Sequence, residues 1–275
     1  MSINLASKAS PKVVERFKIG SCTEGLFTTE YEWTGVETVK VYSVDNLPMQ
    51  DYDKTKMSGS RFGDLTEVGD TVQEMTITKD RSFNGSIDKG YNTNQLMIKS
   101  ASKILKRQTD EVLIPEVDKY RLGVLAAGAG TSEAVGALTK ANAVEKIMLA
   151  NAAMSEKLVP DTQRVLFMSY TKAITLKLAE QVVGIDKLGE KAIVNGVMGK
   201  IDKCQIRLVP ASWLPEGVEF MIVKTGVACA PKKIETFRII TEDKDIDGSI
   251  VQGRLMHDCF VLETKKDGIY VGKTA

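Results

Sequence analysis

Three aspartates at alternate positions, Asp243, Asp245 and Asp247, followed by Gly248, lie in the stretch DKDIDGSIVQGR. These residue types fall at positions 1, 3, 5 and 6 of a twelve-residue calcium loop, where the acids supply oxygen ligands and the glycine turns the chain. Position 12 should be a bidentate glutamate and is Arg254. The flanks read as strands, whereas such a loop needs helices. The stretch is therefore expected to be a charged hairpin tip. A loose cation site, formed where several tips meet across a symmetry axis, is the remaining chemical use for it.

Other reactive residues are few. The single histidine, His257, nearly excludes triads built on histidine and metal sites with two histidine ligands. It shares one face of an alternating strand with Val251, Leu255, Cys259 and Val261, which predicts a packed strand histidine. Cys22, Cys204, Cys229 and Cys259 form no C-x-x-C pair and match no zinc spacing, so free thiols are expected. The G-x-G in AAGAGTSEAVG follows a helix rather than a strand and lacks a third glycine, so it is not a phosphate loop. Among 36 acidic residues, no two stand out as an acid/base pair. No catalytic residue, metal site or cofactor is expected.

The elements that would carry these residues come from ordinary composition. The 275 residues are 43% hydrophobic and 27% charged, enough for a real core in one large or two modest domains. A net charge of +1 gives no basic field for nucleic acid and no polybasic membrane signal. The N-terminus has no signal-peptide apolar region, and no apolar run is long enough to span a membrane.

Residues 1–30 are polar and weakly periodic, and read as an extended arm. ETVKVYSVD (37–45) is a strand, and TVQEMTITKDR (71–81) resumes strand character with Gln73, Met75 and Ile77 alternating. The intervening residues 46–70 are rich in Gly, Asp, Lys and Ser. Two strands joined by so long a loop make an excursion that buries no core of its own, and loops of that length are usually functional or disordered.

A long amphipathic helix is predicted from about Asn92 to Ala126. Met97, Ala101, Ile104, Gln108 and Val112 form its seam, which continues as Leu113, Val117, Tyr120 and Val124. It would run to about 50 Å at ~1.5 Å per residue. Pro115 sits inside it, where the ring should clash with the carbonyl of Glu111. A kink or loosening at Glu111 and Pro115 is expected. Lys106–Asp110 and Arg107–Glu111 are available as i,i+4 pairs on its solvated face.

After the glycines an α/β region begins. Asn142 and Glu145 resemble a capping box, followed by a helix to about Lys157. QRVLFMS (163–169) reads as a buried strand, and 170–183 as a helix with Ile174, Leu178 and Val182 on its apolar face. Residues 200–214 and 217–231 are strands. Residues 235–242 and 249–262 form a strand pair, and 267–273 ends the chain as a strand. The class is α+β.

The order arm, β-excursion, long helix, α/β domain and returning strand pair resembles the major capsid proteins of tailed double-stranded DNA phages, with the Hong Kong 97 capsid fold. DRSFNGSIDKGYNTNQ is similar to the family's entry into its spine helix, and TDEVLIPEVDKYRLGVLA to the second half of that helix. KIDKCQIRLVPASWLPEG and GRLMHDCFVLETKKDGIYV are similar to its later strands. The resemblance covers nearly the whole chain from about residue 30.

The resemblance implies an N-terminal arm (1–30) and an extended E-loop (31–80). It implies a P-domain holding the spine helix and strand pair (81–130, 235–262), and an A-domain (131–234, 263–275). Lys54, Lys56, Arg61 and Phe62 would make intersubunit contacts from the E-loop. Asp243, Asp245 and Asp247 would lie at three-fold contacts. The implied function is self-assembly through pentamers and hexamers into an icosahedral shell around packaged double-stranded DNA, which is bound without sequence specificity. Portal and scaffolding proteins are the implied partners, with assembly in the bacterial host cytoplasm and no membrane. Met1 leads almost directly into the arm, so a separate scaffolding protein, or none, is expected. Some relatives cross-link an E-loop lysine to an asparagine near the three-fold tip. EDKDIDGS offers no asparagine, so no cross-link is expected. The alternatives are a protein nanocompartment of the same fold, against which the long excursion argues, and a small α/β enzyme, which would be a monomer or small oligomer with a defined pocket.

Overall fold

The computed structural model describes residues 20–31, 33, 38–94, 99–179, 199–241 and 246–274. Strands β1 (Thr38–Val44) and β2 (Asp70–Thr76) pair antiparallel, Thr38 opposite Thr76 and Val44 opposite Asp70. The stretch predicted as one strand over 71–81 is divided. The chain leaves the excursion at Thr76 and starts β3 (Lys79–Asp88), which belongs to a different sheet. Alternation alone does not distinguish one strand from two that share a phase across a short break.

Short α1 (Lys89–Asn94) precedes α2 (Ala101–Gln108), a π-helical turn (Thr109–Leu113) and α3 (Ile114–Ala127). The long helix therefore starts at Ala101 rather than Asn92, because Ser100 is extended at φ −108° and ψ 127°. Its three segments, of 8, 5 and 14 residues, run about 40 Å at ~1.5 Å per residue. The buried seam of α3 is Val117, Asp118, Arg121, Leu122 and Leu125, displaced from the predicted Leu113, Val117, Tyr120 and Val124. Polar residues hold two of those positions, so a search for apolar periodicity selects the neighbouring stripe. Met97 of the first predicted seam lies outside the described residues. Gly128 caps the helix at φ −87°, so its role is not left-handed backbone. A Cβ there would come within 2.7 Å of Val261, and the glycine allows that close approach.

Next come β4 (Thr131–Ala134), α4 (Ala143–Glu156), β5 (Arg164–Ser169), α5 (Tyr170–Lys177), β6 (Lys200–Ile201), β7 (Cys204–Val209) and β8 (Val218–Lys224). After these follow β9 (Ala228–Cys229), β10 (Lys232–Ile240), β11 (Gly248–His257), β12 (Phe260–Val261) and β13 (Ile269–Lys273). The central sheet has the order β4-β13-β8-β5-β7-β6. Every residue of β5 is buried, because helices or loops cover both faces of the sheet. Leu166, Met168, Phe220 and Ile222 pack beneath α4 and α5. Val165, Phe167, Met221 and Val223 pack beneath α3.

The predicted capping box is absent. Asn142 occupies the N-cap position, but its Oδ1 accepts from the Thr139 amide (2.8 Å) instead of capping α4. The predicted apolar face of α5 is corrected as well. Ala173 and Leu176 are buried, whereas Ile174 and Leu178 are exposed. Val182 lies outside the described residues. The stretch 200–214 is a hairpin rather than one strand. Asp202 and Lys203 form its tip with φ 43° and 66°, the primed-turn geometry that matches strand twist.

Arg164 is the largest fully buried side chain among the described residues. Its guanidinium donates to Pro160 O (3.1 Å), Val159 O (2.6 Å), Ser155 Oγ (3.1 Å), Asn151 O (2.9 Å) and Asn151 Oδ1. These acceptors lie in the last turns of α4 and in the loop that follows it, beside the helix C-terminus, where the dipole favours a cation. Asn151 in turn donates to Asp202 Oδ2 (2.7 Å). The network joins α4, β5 and the tip of the β6–β7 hairpin.

Residues 20–31 do not extend away from the chain. Asp118 on α3 accepts from Ser21 Oγ (2.9 Å), the Cys22 amide (2.8 Å) and Thr23 Oγ1 (2.6 Å). Leu26 is buried among the core residues beneath α3, and Thr28 bridges to Cys229. The weak periodicity of this stretch reflects anchoring by backbone and hydroxyl groups, which leave no repeating apolar pattern.

Candidate interaction surface

The excursion begins as a ladder. Val39, Val41 and Met75 face inward onto Trp33, Ile77, Cys229 and Leu262. Trp33 Nε1 donates to Met75 O (3.3 Å), and Gln73 is held at both ends, donating to Val261 O (2.8 Å) and accepting from the Glu263 amide (3.1 Å). The other face carries Tyr42 opposite Val72, both exposed.

Beyond the ladder, residues 45–69 fold back on themselves through local bonds. The Asp45 amide donates to Gly69 O (2.9 Å), and Gln50 bonds reciprocally to the backbone of Asp64 (2.8 and 3.2 Å). The Asp53 amide donates to Arg61 O (3.0 Å). Asp53 also accepts from the Thr55 hydroxyl and amide, which lowers its carboxyl from the ordinary value. The segment thus has a defined shape with almost no buried surface. Met57 and Leu65 are 98% and 103% exposed, and Phe62 is 79% exposed.

The four predicted contact residues lie together at this tip. Arg61 Nε donates to Lys56 O (3.0 Å), Phe62 packs edge-on against Tyr52 (5.0 Å between centroids), and the Lys54 and Lys56 side chains are exposed. Of the three aspartates, only Asp247 is among the described residues. It is exposed, and its carbonyl accepts from the Lys89 amide (2.9 Å). Asp243 and Asp245 lie outside the described residues, and among those described no three metal-ligating side chains converge. Glu111 lies in the π-helical turn and Pro115 is the second residue of α3.

The three-stranded sheet β10-β11-β3 pairs antiparallel throughout. On its α3 side, Arg81 bridges to Glu116 (2.6 Å). Its other face is polar: Arg238 donates to Gln252 (2.8 Å), and Arg254 makes a forked contact with Asp80 (3.1 and 2.6 Å). Gly253 in the middle strand lies opposite both Phe83 and Phe237, whose rings stack 6.2 Å apart.

The foot of the excursion holds a polar cluster that sequence reading missed. Asp258 is 3% exposed and accepts from four donors: the Thr78 amide (2.8 Å), Thr78 Oγ1 (3.0 Å), Tyr120 OH (2.6 Å) and the Cys259 amide (2.8 Å). Burial alone would raise its pKa. The hydrogen bonds, led by Tyr120, outweigh this and hold it below the ordinary value. His257 is buried and packs edge-on against Tyr120 (5.7 Å), as predicted, but it is the last residue of β11, so Cys259 and Val261 lie beyond the strand rather than on its face. Burial and the nearby Arg121 lower its pKa. His257 Nδ1 and Arg121 Nε have no hydrogen-bond partner among the described residues. Nothing in the spacing of Asp258 marks it, because Thr78 and Tyr120, which supply three of its four donors, are 180 and 138 residues away.

All four cysteines are free. Burial pushes the thiols of Cys204 and Cys229 up to about 11 and those of Cys22 and Cys259 up to about 12. Thiols at those values are poor nucleophiles at neutral pH. No helix among the described residues is long and apolar enough to cross a membrane.

Neither a protein-family model nor a curated protein matches the sequence. The fold does match solved structures. The chain is similar to a structure from Mycobacterium phage Che8, with TM-score 0.80 and 18% identity, covering 98% of this chain and 97% of that one. It is similar to the capsid structure of the cyanophage P-SCSP1u, with TM-score 0.80, 14% identity and coverage of 98% and 93%. The asymmetric unit of the bacteriophage PhiM1 mature capsid gives TM-score 0.75, 10% identity and coverage of 98% and 92%. At these identities the likeness is one of fold.

Proposed function

We propose that a chain carrying the fold of phage capsid structures is itself a major capsid protein, assembling with copies of itself into a closed shell. The observation that carries this reading is the excursion. A segment with internally satisfied bonds and fully exposed Met57 and Leu65 gains stability from its apolar side chains only when another surface covers them. In a shell of identical subunits that surface is the next copy.

On this reading residues 31–80 act as the E-loop, with Lys54, Lys56, Arg61 and Phe62 in contact with a neighbour. The long helix and the sheet β10-β11-β3 form the P-domain, and the six-stranded sheet forms the A-domain around five- and six-fold axes. The tip that includes Asp243, Asp245 and Asp247 lies at three-fold contacts. Pentamers and hexamers close into an icosahedral shell in the host cytoplasm. Double-stranded DNA is enclosed without sequence-specific contacts, and portal and scaffolding proteins are its partners. No catalysis or cofactor enters this function.

Expression of the chain followed by particle-mass measurement and negative-stain imaging tests it. Closed shells, or pentamers and hexamers, are expected. A chain that stays monomeric across salt and concentration, with a small-molecule pocket, sinks the reading. Shells filled with protein cargo and made outside any packaging system would assign the nanocompartment role instead.

A further inference from the structure

We propose that the Asp258 carboxylate is a clamp that sets the direction of the excursion relative to the long helix, and that its release frees the excursion to turn. For its consequence in shells the inference rests on the capsid reading. Its geometry stands without it.

Thr78 lies in the two-residue break between β2 and β3, where the chain passes from the excursion ladder to the three-stranded sheet. A change in the direction of β2 relative to β3 rotates the chain at this break. Asp258 holds both hydrogen-bonding groups of Thr78 on one oxygen, Oδ2, at 2.8 and 3.0 Å. Its other oxygen, Oδ1, receives Tyr120 OH from α3 at 2.6 Å and the Cys259 amide at 2.8 Å. One carboxylate therefore ties the hinge of the excursion to the long helix and to the end of β11.

The other attachments of the excursion differ in kind. Trp33, Met75, Ile77, Cys229 and Leu262 meet mainly through apolar contact, which is non-directional and tolerates small rotations, and the one bond among them given above, Trp33 Nε1 to Met75 O (3.3 Å), reaches the ladder strand rather than the break. The bonds of Gln73 to Val261 and Glu263 lie within the ladder rather than at the break. Directional bonds at the hinge itself come from Asp258. Charge-assisted hydrogen bonds of this kind are short and stronger than neutral ones, so the clamp holds one angle firmly and gives way as a unit.

Three variants test the clamp: Asp258→Asn, Thr78→Val and Tyr120→Phe. Each is read first by hydrogen exchange in the unassembled full chain and then by particle diameter. In Asp258→Asn, exchange at Thr78 and along β2 should rise about tenfold, the effect of one lost hydrogen bond, while β5 exchanges as in the parent. Thr78→Val and Tyr120→Phe each remove one arm and should give smaller rises in the same segment. All three should broaden or shift the diameters of assembled shells. Unchanged exchange at residues 70–78 overturns the clamp, as does a rise spread equally over β5. Raised exchange with parental shells overturns its role in turning the excursion. If Asp258→Asn does not fold, the two conservative variants decide. A parent that never assembles sinks the capsid reading, and the exchange measurements still decide the clamp.

Discussion

The Ile114 amide bonds to the carbonyl of Thr109, five residues back, immediately before Pro115. An α-helix would use the residue four back. The turn is widened where an α-helical proline ring would meet the Glu111 carbonyl, and a widened turn relieves that clash. Single π-turns inside helices recur at functional positions.

Pro115→Ala is expected to convert Thr109–Leu113 to α-helix, with the Ile114 amide bonded to Asp110, and to alter particle size or expansion. A structure of the variant and a diameter distribution check this. The same π-turn and the same particles would make Pro115 a tolerated irregularity.

Phe62→Ser with Leu65→Ser should separate folding from assembly. Leu65 is fully exposed and Phe62 packs edge-on against Tyr52, so stability should fall by no more than about 1.5 kcal/mol. Assembly should fail or weaken strongly. Thermal melts of the unassembled chain beside particle yield make the comparison, and an equal loss in both would place the two residues in the fold instead.

Arg164→Met should be severely destabilising, by about 3–5 kcal/mol, because it leaves buried carbonyls and hydroxyls without donors. Arg164→Lys should rescue little, since an ammonium lacks the planar fork. Denaturant titration measures both. A lysine variant with parental stability would show that charge matters here and geometry does not.

Gly253→Ala should cost about 1–3 kcal/mol, the usual range for overpacking. A Cβ there would fall 2.3 Å from Phe83 and 2.7 Å from Phe237. Adding Phe83→Leu should recover part of the loss. Additive losses in the double variant would mean that the strain lies in the backbone.

Acid should weaken the excursion foot in two windows. The depressed pKa of His257 means that the unfolded chain binds its proton first, so stability falls as pH drops below the ordinary 6.5. The groups around His257 are Tyr120, Arg121, Asp258, Glu116 and Lys232, with Lys79 over the Tyr120 ring. Asp258 is depressed from 3.8, so its contribution is complete above that value and is lost only below it. Melting temperatures between pH 7.5 and 5 should decline in the parent and much less in His257→Phe. Identical slopes would assign the decline to other groups.

The sequence by itself determined the elements that local periodicity encodes. These are the excursion strands, the buried β5, the returning strand pair and the disturbance around Pro115, because a two- or 3.6-residue repeat needs no distant partner to be read. It did not place the face of α5, the seam of α3 or the anchoring of residues 20–31. There, polar residues such as Asp118 and Arg121 occupy buried positions, and only their partners at Ser21, Cys22 and Thr23 make that possible. Arg164 and Asp258 are invisible for the same reason. A buried charge is tolerated only when enough hydrogen bonds converge on it, and only tertiary structure brings those distant donors and acceptors together.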